Sequence, residues 1–242
     1  MPGVITTSSL VSHLVTEKPS RARVFEKYDI PFCDASVTVE AACNAAGVSS
    51  EKLIGDLEQH DNEIIVFDEL TLDMQHADST VAELIDNILK QHHVSMRREI
   101  RRIMELFDSA IAMHGQKHPM LIDLQAHFAQ MADAFETHLG HEEVNLFPVA
   151  RRVELEGGAT RGLAAMVREA VEEMFDEHDN TPAAWTKVER DTGMYTLPAD
   201  AGNSWRVLYD RLKALRLDML IHTYKENEIL APKILAYLND ED

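Results

Sequence analysis

Two histidines in this 242-residue chain, His138 and His222, are each followed four residues later by a glutamate, Glu142 and Glu226, within stretches whose other spaced positions are Leu, Met and Phe. Residues at i and i+4 of a helix stand on one face, so the pattern places a carboxylate on an apolar face. An unpaired charge there costs several kcal/mol or is neutralised by a proton, so a glutamate in such a position calls for a cationic partner. The flanking residues repeat as well. His-x3-Glu-x3-Leu-x-Pro reads His138, Glu142, Leu146, Pro148 and again His222, Glu226, Leu230, Pro232, as if one helical hairpin occurred twice.

Four long segments carry helical periodicity. The first runs Ile85, Leu89, His93, Met96, Ile100, Ile103, Phe107, and the second Leu121, Leu124, Phe128, Met131, Phe135, His138, Glu142. The third, read as shorter, has Leu163, Val167, Val171, Met174 and His178; the fourth has Leu208, Leu212, Leu215, Met219, His222, Glu226 and Ile229. Thr80 and Glu83 are spaced as a capping box at the start of the first. Breaks fall at Gly115 to Pro119, at Gly157-Gly158 and around Gly193 to Asn203. Strand signals are nearly absent, so the fold class is all-α and the architecture an antiparallel four-helix bundle.

The turns set the heights of the polar residues. In an antiparallel hairpin, residues equally far from the turn lie level. The midpoint between His93 and His138 falls at the Gly115 turn, that between Glu142 and His178 at Thr160, and that between His178 and His222 within the loop from Gly193 to Asn203. The spacing therefore predicts that His93, His138, Glu142, His178, His222 and Glu226 meet in one layer. Four imidazoles and two carboxylates make a two-metal site, each carboxylate able to bridge, and this donor set suits iron or manganese.

The remaining histidines carry no such pattern. His92 and His141 adjoin the seam but are expected to point off it, and His114 and His118 lie at a turn; all four read as surface residues. His13, His60, His76 and His127 have no partner at ligand spacing. Met96, Met131, Met174 and Met219 read as core filling, and Glu172-Glu173 as a solvated face.

Cys33 and Cys43 are the only cysteines, too few for a disulfide framework or a thiolate zinc site. A formal charge of −19 argues against nucleic acid and anionic lipid as partners. The first fifteen residues lack the pattern of a secretion signal and no apolar run approaches membrane length, so a soluble, cytoplasmic protein is expected. Residues 1–60 read as a small helical domain, with helices over Arg21–Tyr28, Val39–Ala46 and Ser50–Gln59 and a stop at Gly47. Residues 61–78 read as a linker with one extended piece at Ile64–Phe67, and 79–242 as the bundle.

With these motifs in place the chain resembles the hemerythrin-like bundles, and more closely the RIC (repair of iron centres) di-iron proteins with their N-terminal ScdA-type domain. The resemblance covers nearly the whole chain. It rests on Val24-Phe25-Glu26-Lys27-Tyr28-Asp29-Ile30 with Cys33, on Ala82-Glu83-Leu84-Ile85-Asp86 leading to His93, on His138-x3-Glu142-Glu143 with Leu146-Phe147-Pro148, on Glu177-His178-Asp179 and on His222-x3-Glu226-Asn227. It carries all six metal ligands over. Oxygen-carrying hemerythrins have a second histidine four positions after the first on the third helix, where this chain has Pro182. The ScdA-type domain commonly has adjacent cysteines, whereas here Asp34 follows Cys33, which leaves Cys33 as a single candidate for redox or iron relay; Cys43 reads as core.

The resemblance implies two non-haem, oxo- or hydroxo-bridged iron ions and the repair of iron–sulfur proteins damaged by nitrosative or oxidative stress. Iron donation and the binding and reduction of nitric oxide are both compatible with it. The alternative is a hemerythrin-like sensor or binding module for oxygen, nitric oxide or iron. A homodimer is compatible with either.

Overall fold

The computed structural model describes residues 4–32, 36–62 and 75–238. The extended piece expected at Ile64–Phe67, most of the expected linker and Cys33 lie outside the described residues. Within them the chain is helical, with one isolated bridge between Leu10 and Thr38 and no strand. The helices are α1 (Val11–Glu17), α2 (Ala22–Lys27), α3 (Val39–Ala46), α4 (Ser50–Asn62), α5 (Val81–Ile88), α6 (Val94–His114), α7 (Met120–His141), α8 (Phe147–Glu156), α9 (Arg161–Asp191), α10 (Asn203–Tyr224) and α11 (Ala231–Ala236). No described helix is long and apolar enough to cross a membrane.

Contacts gather the chain into two units. The first combines the N-terminal region with residues 103–122 and 195–213. Thr38 caps α3 by accepting from the Ala41 amide at 3.2 Å, and Gly47 ends it in the left-handed conformation, φ 68°, that a Cβ would strain. Helix α1 escapes sequence reading because nothing local starts it: Leu10 makes no capping hydrogen bond. Its Val11, Leu14 and Val15 are buried, so tertiary packing holds it. Asn203 ties this unit across the chain, donating to the carbonyls of Ser12 at 3.0 Å and Phe32 at 3.2 Å.

The second unit contains four helical segments: α5 with the start of α6, the latter part of α7 with α8, α9, and the end of α10 with α11. The capping box at Thr80 forms as spaced, with Thr80 Oγ1 accepting from the Glu83 amide at 3.1 Å and Glu83 accepting from the Thr80 amide at 2.9 Å. Both carboxylate oxygens of Glu154 then accept from Val81 N and Ala82 N, at 2.6 and 2.9 Å, satisfying two more amides of the first turn. Leu84, Ile85, Ile88, Leu146, Phe147, Val153, Val167 and Val171 fill the core below.

Two features depart from the expected pattern. The third segment is not short: α9 has 31 residues and runs straight through Pro182. It continues past the proline because Trp185 and Val188 bury its far half, which outweighs the donor that Pro182 cannot give to the His178 carbonyl one turn earlier. The second departure is a π-helical turn in three of the four segments, at Leu89–His93, Glu142–Leu146 and Lys225–Leu230. The latter two precede Pro148 and Pro232, whose missing N–H frees a carbonyl one turn back and favours the wider turn.

Candidate metal centre

All six polar seam residues meet in the interior of the second unit. His93, Glu142, His178, His222 and Glu226 are 5 % exposed or less, and His138 is 7 % exposed. Each of the three π turns contains or adjoins one of them, and such turns re-aim side chains at functional sites.

The imidazoles face one another in two pairs. Nε2 of His93 lies 3.1 Å from Nε2 of His222, and Nε2 of His138 lies 3.1 Å from Nε2 of His178. Their outer nitrogens are already engaged. Nδ1 of His93 meets Glu143 at 2.8 Å, that of His138 meets Glu177 at 2.6 Å, and that of His178 meets Asn227 at 2.7 Å. An Nδ1–H donated outward leaves a lone pair on Nε2, so His138 and His178 point lone pair at lone pair. That contact is repulsive unless a proton or a cation lies between them, and 3.1 Å is the spacing of adjacent nitrogen donors on one cation with bonds of about 2.1 Å.

The carboxylates follow the same division. Oε2 of Glu142 lies 3.3 Å from His93 and 3.9 Å from His222, while its Oε1 lies 3.2 Å from His138 and 3.8 Å from His178. Oε1 of Glu226 lies 3.0 Å from His222 and 4.0 Å from His93, and its Oε2 lies 3.3 Å from His178. Each carboxylate thus offers one oxygen to each histidine pair, the arrangement of a bridging ligand. None of the four oxygens has a hydrogen-bond partner among the described residues, although all are buried. Buried carboxylate oxygens left this way are costly unless cations occupy the centre, so the donors fit two cations with two imidazoles and two carboxylate oxygens each.

Protons expose the same demand. Burial, reinforced by Glu226, pushes Glu142 well above the usual carboxylate range. Burial would raise Glu226 too, but His222 and His178 beside it hold it well below. Burial drives His222 down to about 4. Burial would also lower His178, yet Glu226 and Asn227 bring it above the ordinary histidine value. Without metal, then, the layer favours the neutral form of Glu142 and the charged form of Glu226.

Around this layer stand residues to which sequence reading gave no role. Glu143 accepts from His93 and from Arg97 at 2.6 Å, and Arg97 reaches on to Glu136 at 2.9 Å. Glu177 accepts from His138 and His141. Their only sequence signal is adjacency: Glu143 follows Glu142, Glu177 precedes His178 and Asn227 follows Glu226. His92 corrects a surface expectation. It is 4 % exposed, with Nδ1 at 2.7 Å from Asp218 and Nε2 at 3.0 Å from the buried Lys225 ammonium, which donates to Asn87 at 2.8 Å. A largely apolar cavity of about 380 Å³, bordered by Met131, Phe135, Ala184 and Met219 together with Glu177 and Asn180, reaches His138.

Comparison with known proteins agrees with this chemistry. The family profile described as "Hemerythrin HHE cation binding domain" matches residues 84–234, and one described as a "Domain of Unknown function (DUF542)", ScdA_N, matches residues 7–61. The chain is similar to "Iron-sulfur cluster repair protein ScdA" of Staphylococcus haemolyticus, 28 % identical over 95 % of this chain and 99 % of that protein. It is similar to "Probable iron-sulfur cluster repair protein" of Haemophilus influenzae, 28 % identical over 93 % and 96 %. "Iron-sulfur cluster repair protein YtfE" of Escherichia coli O157:H7 is 22 % identical over 93 % of this chain and 96 % of that protein.

Proposed function

Because this chain belongs to the hemerythrin HHE cation-binding family, we propose that it holds two iron ions in the His93, His138, Glu142, His178, His222 and Glu226 layer and uses them in repairing damaged iron–sulfur clusters. The observation that carries this is the division of donors: two imidazole pairs, each facing one oxygen of Glu142 and one of Glu226. When bound, iron supplies one-electron redox chemistry and positions for small ligands; as cargo, it is what a depleted cluster lacks. In this reading residues 1–60 form a separate domain joined by 61–78 to the bundle.

The protein's own groups do the rest. Glu142 and Glu226 supply two negative charges that compensate the cations, and Glu143, Glu177 and Asn227 lock three imidazoles with Nε2 facing inward. Glu142 also borders a small cavity that it shares with His141, Glu173 and Glu177, so in this reading its side chain is the one whose release would open the layer on that side. A second reading, capture of a small gas such as nitric oxide or oxygen, is favoured by the largely apolar cavity against His138.

The test is iron content of anaerobically purified protein, followed by incubation with an iron–sulfur enzyme whose cluster has been degraded. Two irons per chain and recovery of the enzyme without added iron are expected. Failure to hold stoichiometric iron after reconstitution would sink the proposal, while iron retention without any recovery would favour gas binding.

A further inference from the structure

One buried charge of the second unit has no part in the layer of six. Lys225 opens the π turn that carries Glu226 and is 6 % exposed. Its ammonium donates to Oδ1 of Asn87 on α5 at 2.8 Å and to Nε2 of His92 at 3.0 Å, and among the described residues it forms no ion pair with a carboxylate. His92 donates its Nδ1–H to Asp218 at 2.7 Å, which leaves Nε2 as the acceptor that Lys225 meets. Both acceptors are thus neutral, and Asp218, reached through the imidazole, is the group that counters the lowering of Lys225 by burial. An ammonium taken out of water on such terms is costly, and an apolar side chain of the same length would fill the position without that cost. The charge also stands close to the centre. The His92 ring packs on the His222 ring with 5.6 Å between centroids, and His222 packs on His93 at 5.1 Å. All three rings are buried, so protein rather than solvent separates the ammonium from the ligands.

We propose that the positive charge of Lys225 opposes the cations of the inner layer, so that the layer holds divalent metal less tightly, and its iron pair is reduced more readily, than the six ligands alone would dictate. Like charges repel in a medium of low dielectric over distances at which water would screen them. Glu142 and Glu226 bring two negative charges against two divalent cations, so the loaded layer keeps an excess of positive charge, and each electron removed adds to it. Lys225 weighs against both. A purely structural role has the opposite sign. Lys225 and His92 lie in two different π turns, Lys225–Leu230 and Leu89–His93, and a strap that only tied these turns together would steady His93 and Glu226 and tighten the metal. A layer that binds iron and yet lets it go suits a donor; that use rests on the proposed function above.

The test compares the parent with Lys225→Met, which removes the charge at nearly the same length, and with Asn87→Ala, which removes an acceptor and keeps the charge. Zn(II) affinity is read by competition with a chelator, and the midpoint potential of the iron-loaded proteins by redox titration. Lys225→Met is expected to bind Zn(II) roughly tenfold more tightly and to show a lower midpoint potential, while Asn87→Ala binds no more tightly than the parent. Lys225→Gln, neutral but polar, serves for the same comparison if the methionine variant does not fold. Zn(II) binding by the neutral variant that only equals or falls below the parent's, a potential that does not fall, or an equal gain in Asn87→Ala overturns the proposal. Zn(II) has no redox chemistry of its own, so the affinity ratio reads Lys225 even if the parent proves to hold a metal other than iron, a result that would count against the proposed function alone.

Discussion

One carboxylate, Glu177, accepts from two histidines a turn apart on α7: its Oε2 lies 2.6 Å from Nδ1 of His138 and its Oε1 2.9 Å from Nδ1 of His141. It fixes an inner imidazole with one oxygen and faces solvent with the other. Removing the charge of such a partner usually costs 10- to 100-fold in metal affinity. Glu177→Gln should therefore release iron to a competing chelator roughly ten times more readily or worse, with unchanged helicity. Unaltered release would show that Glu177 does not set the His138 donor.

Glu142 is a liability without metal and a ligand with it. Replacing a buried, imperfectly paired carboxyl by an apolar side chain of similar size is often neutral or stabilising by about 1–4 kcal/mol. Glu142→Leu should then abolish stoichiometric iron while leaving the metal-free protein as stable as the parent or more so. Chemical denaturation of both proteins after exhaustive chelation checks this; a clear loss of stability in the variant would mean that Glu142 has a structural partner.

The metal-free protein should weaken in mild acid. His222 falls from 6.5 to about 4 on burial, so between those values the unfolded chain binds the proton that the folded chain refuses, and stability declines as pH drops. Its contribution is intact above 6.5 and lost below about 4, a change on the order of 3 kcal/mol. Denaturation midpoints measured on chelated protein at pH 7.5 and 4.5 should differ accordingly, and His222→Phe should narrow the gap. Equal slopes in parent and variant would contradict the assignment.

Pro182 sits inside α9, where it withholds a donor from the carbonyl of His178. Restoring that donor with Pro182→Ala should stabilise the protein by about 1–3 kcal/mol, seen as a higher thermal midpoint. A lower midpoint would mean that the α9 backbone is shaped around the proline.

Periodicity was enough to find the helices of the second unit and the six inward residues, because an apolar face with polar exceptions is a local signal. The outer partners were not legible. Nothing at position 143 or 177 distinguishes a carboxylate that orients an imidazole from one that faces water; only the approach of another helix decides it. His92 was misread for the same reason, since the Asp218 and Lys225 that satisfy it lie more than a hundred residues away in the chain. The π turns were hidden because each adds its extra residue right where the seam bears a ligand, and Pro148 and Pro232 were their single outward sign.

The duplicated motif has a consequence for ancestry. One nitrogen in each imidazole pair comes from the first hairpin and one from the second: His93 with His222, and His138 with His178. Neither hairpin owns a complete donor set. A primitive peptide bearing a single His-x3-Glu hairpin would have gained such a centre only by meeting a twin, and covalent fusion of the twins would have made a chance encounter permanent.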